Sequence, residues 1–228
     1  MAIIDKPSDY FNTSAVWSGD DSEHTISGIG HQPDFTWIKG VNIGTQHYLF
    51  DIVRGATKII IANGTNAEST NAQTLKSWNS DGFVLGTSDD VNGSSRTYIA
   101  WNWKESATAG FDILTYEGSG SAQTISHNLG VKPDVIIVKN IDSSDPPFNW
   151  RVYHSSLGAD VAMKLNGTDA QSADPGYWND TEPTSSVFSV KNSGETNNSG
   201  QTYIAYLFAG KQGYSKFGSY VGNGNADG

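Results

Sequence analysis

Phe35-Thr-Trp-Ile-Lys39 is answered by Val135-Ile-Ile-Val-Lys139, and each run follows a Pro-Asp pair, Pro33-Asp34 and Pro133-Asp134. Short apolar runs bounded by turn formers read as β-strands. Outward from them the correspondence continues. Thr97-Tyr-Ile-Ala100 recurs as Thr202-Tyr-Ile-Ala205, and Asn63-Gly-Thr65 as Asn166-Gly-Thr168. Each copy opens with an aromatic residue and an aromatic-x-Gly: Phe11 to Trp17-Ser-Gly19, Phe111 to Tyr116-Glu-Gly118, and again Tyr214 to Tyr220-Val-Gly222. Self-similarity at a period of about 100 residues marks a repeated structural unit, and each unit has the size of an ordinary domain.

The chain of 228 residues therefore divides into a lead-in arm at 1–12, a first repeat at 11–104, a short linker at 105–110 and a second repeat at 111–209. Residues 210–228 read as the start of a third repeat or a linker to a distal domain. The linker is too short for the repeats to move widely apart. No stretch shows a sustained 3.6-residue period, whereas short alternating runs separated by Gly, Asn, Asp and Pro are frequent. The predicted fold is all-β, two tandem antiparallel β-sandwich domains. Jelly-roll or concanavalin-like connectivity is preferred, with an immunoglobulin-like order left open by spacing alone. In Arg96–Lys104, Thr97, Ile99, Trp101 and Trp103 share one face and are expected to point into the core.

Composition narrows the function classes. Net charge is −10, with 24 acidic and 14 basic side chains, and the three arginines form no basic stripe. Phosphate contact needs clustered Lys and Arg, so a nucleic-acid partner is not expected. Cysteine is absent, which removes disulfides, thiol nucleophiles and thiolate metal sites. No apolar run approaches the length of a membrane span, so membrane insertion is not expected.

The five histidines lack HExxH or His-x-His spacing, and neither a Gly-x-Ser-x-Gly elbow nor a phosphate loop is present. Carboxylate pairs for glycoside hydrolysis, such as Asp51 with Glu68 or Asp145 with Asp174, compete with the reading of solvated loop acids. Ser88-Asp-Asp-Val-Asn92 and the loop holding Asp142 and Asp145 offer the hard oxygens that calcium prefers, without the EF-hand spacing. No cofactor and no catalytic residue is predicted. Trp78 and Trp178 each precede Asn in a loop, open to a structural cap or a sugar-stacking platform. Ile3 and Ile4 are candidates for packing against a neighbour or partner. The Asn-Gly pairs are read as tight turns requiring positive φ.

Gly110-Phe111 to Gly120, Gln123-Thr-Ile-Ser-His127, Leu129-Gly130, Pro133-Asp-Val-Ile-Ile-Val-Lys139, Trp150 to Ser155 and Gly200-Gln-Thr-Tyr-Ile-Ala-Tyr206 resemble a repeated domain of tailed bacteriophages, marine and cyanobacterial phages especially. The first repeat carries the same order in Pro33-Asp34 to Lys39, Gly55-Ala-Thr57, Ser80-Asp-Gly-Phe83 and Thr97 to Trp101. That resemblance implies a non-enzymatic virion structural protein, the particle-proximal part of a tail fibre or another surface appendage. It implies contacts with other virion proteins through the N-terminal arm, and, by analogy with fibres, a homotrimer. Two alternatives stand beside it: a carbohydrate-binding module for a host-surface glycan, and a polysaccharide-degrading tail enzyme.

Overall fold

The computed structural model describes residues 3–143 and 146–225. The fold is all-β, with two large antiparallel sheets. A 3-10 turn at Pro7–Asp9 leads into the first repeat. Its six-stranded sheet contains β1 (Phe11–Ser18), β3 (Phe35–Gly40), β4 (His47–Asp51), β5 (Lys58–Ile61), β6 (Ser69–Thr70) and β9 (Thr97–Trp103), in the order β1-β9-β3-β4-β5-β6. A smaller sheet pairs β8 (Gly82–Leu85) with β2 (His24–Ile26) and β7 (Leu75–Asn79).

The second repeat builds the same large sheet from β10 (Phe111–Glu117), β12 (Val135–Asn140), β13 (Arg151–His154), β14 (Val161–Lys164), β15 (Ser172–Ala173) and β17 (Thr202–Phe208), in the order β10-β17-β12-β13-β14-β15. Each strand takes the place of its sequence counterpart. The smaller sheet keeps β11 (Gln123–Ser126) and β16 (Val187–Val190). Where the first repeat has β7, the second has a helical turn, α2 (Pro175–Trp178). The other helices, α1 (Asp89–Asn92) and α3 (Gly194–Asn197), are equivalent single turns, each capped by a serine side chain, Ser88 and Ser193.

The recurring residues are the ones that join these layers. Tyr98 Oη donates to Asp89 O (2.6 Å) and accepts from Gly93 N (3.0 Å). Its counterpart Tyr203 Oη donates to Gly194 O (2.7 Å) and accepts from Asn198 N (2.7 Å). Asn92 Nδ2 donates to Ser22 O (2.5 Å) and Gly86 O (2.9 Å), and Asn197 Nδ2 to Ser121 O (2.6 Å) and Lys191 O. The Pro-Asp motif has a backbone role. Asp34 Oδ2 accepts from Glu105 N (2.8 Å) and Asp134 Oδ2 from Gly210 N (2.7 Å), so each aspartate holds the chain as it leaves the last strand of its repeat.

One apolar cluster joins Trp17, Ile38, Phe50 and Tyr98 of the first large sheet to Ile26, Leu75 and Phe83 of the small one. Its equivalent joins Tyr116, Ile136, Tyr153 and Tyr203 to Ile125 and Phe188. The core face of β9 is thus the reverse of the one read from sequence: Tyr98, Ala100 and Asn102 are fully buried, whereas Ile99, Trp101 and Trp103 are half-buried. Bulk and aromaticity pointed to the tryptophans, but the tyrosine hydroxyl and Asn102 are satisfied inside, which removes the cost of burying them. The Asn-Gly expectation also fails within the two repeats, although Gly224 of Asn223-Gly224 does have positive φ. Asn63, Gly64, Asn166 and Gly167 all have negative φ. The side chains act instead: Asn63 Oδ1 accepts from His47 N (2.9 Å), and Asn166 Oδ1 from Trp150 N (3.0 Å).

Candidate functional site: the seam between the large sheets

The tryptophan-bearing face of the first large sheet meets the second repeat. A third apolar cluster contains Phe35, Leu49 and Ile60 from the first repeat with Phe111, Ile113, Ile204 and Tyr206 from the second. Strand burial records the contact: β9 alternates between half-buried and buried, while its counterpart β17 is buried on both faces from Tyr203 to Leu207. Phe35 lies 4.5 Å from Tyr206 and 5.9 Å from Phe111 between ring centroids. Trp103 stands 6.5 Å from both Phe111 and Phe208. Tilted and edge arrangements at these separations add to the area they bury.

Polar groups inside the seam are paired. Tyr206 Oη donates to Asp51 Oδ2 (2.7 Å), which also receives Arg54 Nε (2.5 Å). Arg54 further donates to Glu68 Oε2 (3.2 Å) and Leu49 O (3.1 Å), and its side chain is almost wholly buried. Burial works against the Arg54 charge, but Tyr206, Asp51 and Glu68 outweigh it and hold the pKa above the usual arginine range. Tyr206 is pushed well above its ordinary value, first by burial and then by the Asp51 carboxylate. Trp150 Nε1 donates to Ile61 O (2.9 Å) and Glu68 N to Ile141 O (2.8 Å), both across the seam. Lys139 is fully buried and donates to Thr65 O (3.3 Å) and Asn140 O (2.7 Å). With carbonyls as its hydrogen-bond partners, burial pulls its pKa down to about 8, against a weaker opposing pull from Glu195.

The seam is incompletely filled at one end. An apolar groove of about 340 Å³ opens among Phe11, Trp103, Phe111, Ile137, Phe208 and Phe217. A further cavity of about 60 Å³ lies between Trp37, Leu49, Trp150 and Tyr206. Neither has a convergent set of ionisable groups.

The residues singled out from sequence do not assemble into one site. Trp78 lies in β7 and Trp178 in α2, rather than in loops. Trp178 is 1% exposed and meets Tyr153 edge-on, Trp78 packs partly against the first core, and both indole N–H groups are buried without a protein acceptor. Ile4 is buried, with its N–H on Gln212 O (3.2 Å), while Ile3 is 56% exposed. Asp142 Oδ2 accepts from Thr202 N (2.6 Å). Asp145 lies outside the described residues.

The acids weighed for chemistry are engaged by the protein. Asp51 and Glu68 do come together, but around Arg54. Asp174 caps α2. Asp90 accepts from Tyr48 Oη (2.6 Å) and Asp89 pairs with Arg96 (2.9 Å). Among the described residues no group of three or more His, Asp or Glu side chains is disposed to hold a metal ion. Arg54, Lys139 and Tyr206 are not marked as site residues by the sequence: Lys139 closes the repeated run Val135-Ile-Ile-Val-Lys139 and Tyr206 follows the repeated Thr202-Tyr-Ile-Ala205, whereas no local pattern marks Arg54.

A family model described as a domain of unknown function, DUF7483, matches residues 6–228. The chain belongs to the DUF7483 family. The match runs across both repeats and so takes in the residues of the seam. No curated protein and no solved structure matches the chain.

Proposed function

We propose that this DUF7483 chain is a non-enzymatic structural module of a tailed-phage particle, a stiff segment of a tail fibre or other surface appendage. Its repeats are two β-sandwich domains with jelly-roll or concanavalin-like connectivity, bounded near 11–104 and 111–209. The inner clusters, each drawing on a large and a small sheet, support that architecture. The observation that carries the reading is the seam: an aromatic core shared by both repeats couples them into one body suited to transmitting load. The resemblance of both repeats to phage domains supports the virion setting, with attachment to other virion proteins through the N-terminal arm and assembly as a homotrimer. Antibody against the chain, imaged on purified particles by gold labelling, should decorate an external appendage. Labelling confined to infected-cell lysate, with none on particles, overturns the proposal.

A second reading, recognition of a host-surface glycan, is favoured by the half-exposed rings of Trp37 and Trp101, which meet edge-on at 6.4 Å on the outer sheet face. It predicts sugar-dependent quenching of tryptophan fluorescence. The absence of any response over a broad glycan array removes it.

A further inference from the structure

The two repeats bury unequal parts of the same face. In the second repeat Ile141, Ile204 and Tyr206 are each under 9% exposed, because they lie in the seam beneath the first repeat. Their counterparts are Val41, Ile99 and Trp101, on the outer face of the first large sheet. Here Val41 is 61% exposed, and Ile99 and Trp101 are half-buried. Val16, directly opposite Ile99 in the β1–β9 ladder, is 58% exposed. These side chains form one strip. Ile99 also faces Lys39, Trp101 faces Trp37, and Val41 N donates to Thr97 O (2.7 Å) at the end of the same strand.

Three features say what covers the strip. It is continuous with the seam, since Trp37 and Trp103, which border the strip, pack against the seam cluster. The equivalent positions of the second repeat show that this surface accepts a β-sheet face of the same family. The paired positions along it (Val16, Ile99 and Lys39; Trp101 and Trp37) carry no carboxylate in a chain of net charge −10. A face kept in water would be expected to share that acidity, and adjoining exposed apolar side chains on a strand commonly mark an interface.

We propose that the strip of Val16, Val41, Ile99 and Trp101 is a self-association surface, covered in solution by a second copy of this chain. The inference builds on the reading of the chain as an assembling structural module. Its test needs no particle, so a failure here leaves the gold-labelling result standing.

The experiment measures the mass of the full chain by light scattering and sedimentation over a dilution series reaching about 100 µM. Val16→Lys with Val41→Lys places two charges on exposed positions of the strip. Ile52→Lys does the same at an exposed apolar position in the turn after β4. The wild type should have the mass of two or more copies. The double variant should associate at least about tenfold more weakly, and Ile52→Lys should match the wild type. Acrylamide quenching of tryptophan should rise on dilution of the wild type as Trp101 is uncovered, a readout independent of any variant's folding. A wild type that is monomeric throughout, association unchanged in the double variant, or equal weakening by Ile52→Lys each overturns the proposal.

Discussion

At the scale of single residues, the repeated positions act as hydrogen-bonding fasteners. Asn92 and Asn197, both fully buried, each use one amide to bind two carbonyls from separate loops. Asn92→Ala removes the bond to Ser22 O and leaves the buried Gly86 O without this donor, and should lower stability by about 2–3 kcal/mol in urea unfolding. Lys139 is a different case. Its folded pKa near 8 is below the unfolded value, so between about pH 8 and pH 10 the native state sheds a proton that the unfolded chain keeps. Stability from this group therefore rises with pH across that window, and below it the cost of burying the charge is fully present. Lys139→Met should remove the rise, a difference on the order of 2–3 kcal/mol between pH 8 and pH 10 relative to the wild type. Urea midpoints of both proteins at the two pH values provide the check.

At the scale of elements, the turn between the repeats is the most informative. Glu105 leads into it, Ser106 pairs with Phe111 across it, and the carboxyl of Glu105 sits beside Asp112. Burial first, and then Asp112, push the Glu105 pKa up to about 7. Between about pH 4.5 and pH 7 the native state holds a proton that the unfolded state has released, so stability falls as pH rises through that window. Glu105→Gln should flatten the decline. The gain at pH 8 should be on the order of 1 kcal/mol, because solvent screens a half-exposed group. Thermal melts at pH 4.5 and pH 8 measure it. The Ser88 and Ser193 caps make a simpler case: Ser193→Ala should cost about 1 kcal/mol by loss of the bond to Glu195 N.

Much of this level was legible beforehand. The strands at Phe35–Gly40 and Val135–Asn140 follow from short apolar runs behind Pro-Asp, and the equal order of the two large sheets follows from the repeat. The face of β9 was not legible, because alternation gives two faces without saying which layer lies against which. The replacement of β7 by α2 was equally hidden, since the divergence of 74–80 from 174–180 carries no periodicity.

At the scale of the whole molecule, the seam decides how the protein behaves. Trp150 is fully buried and anchors both repeats through its bond to Ile61 O. Trp150→Ala should cost about 3–5 kcal/mol, and the loss should appear in both repeats together. Calorimetry should record one transition for the wild type, with calorimetric and van't Hoff enthalpies equal, as coupling through a common core requires. Two separated transitions would show that the repeats melt as independent beads. The candidate site divides along the same line. The sequence displayed the aromatic residues that line the seam, but not the Arg54–Asp51–Tyr206 network inside it, whose members come from β4, the turn after it and β17.

The sequence by itself determined that the chain is built twice from short strands, and which residues recur to hold each copy together. Those instructions are local: period-2 alternation, turn residues, and side chains that bond to backbone within one repeat. Only the tertiary structure decided that part of the outer face of the first large sheet covers the outer face of the second. That choice depends on shape and on polar pairing between residues far apart in the chain, as with Tyr206 and Asp51, and no periodicity along one strand encodes it.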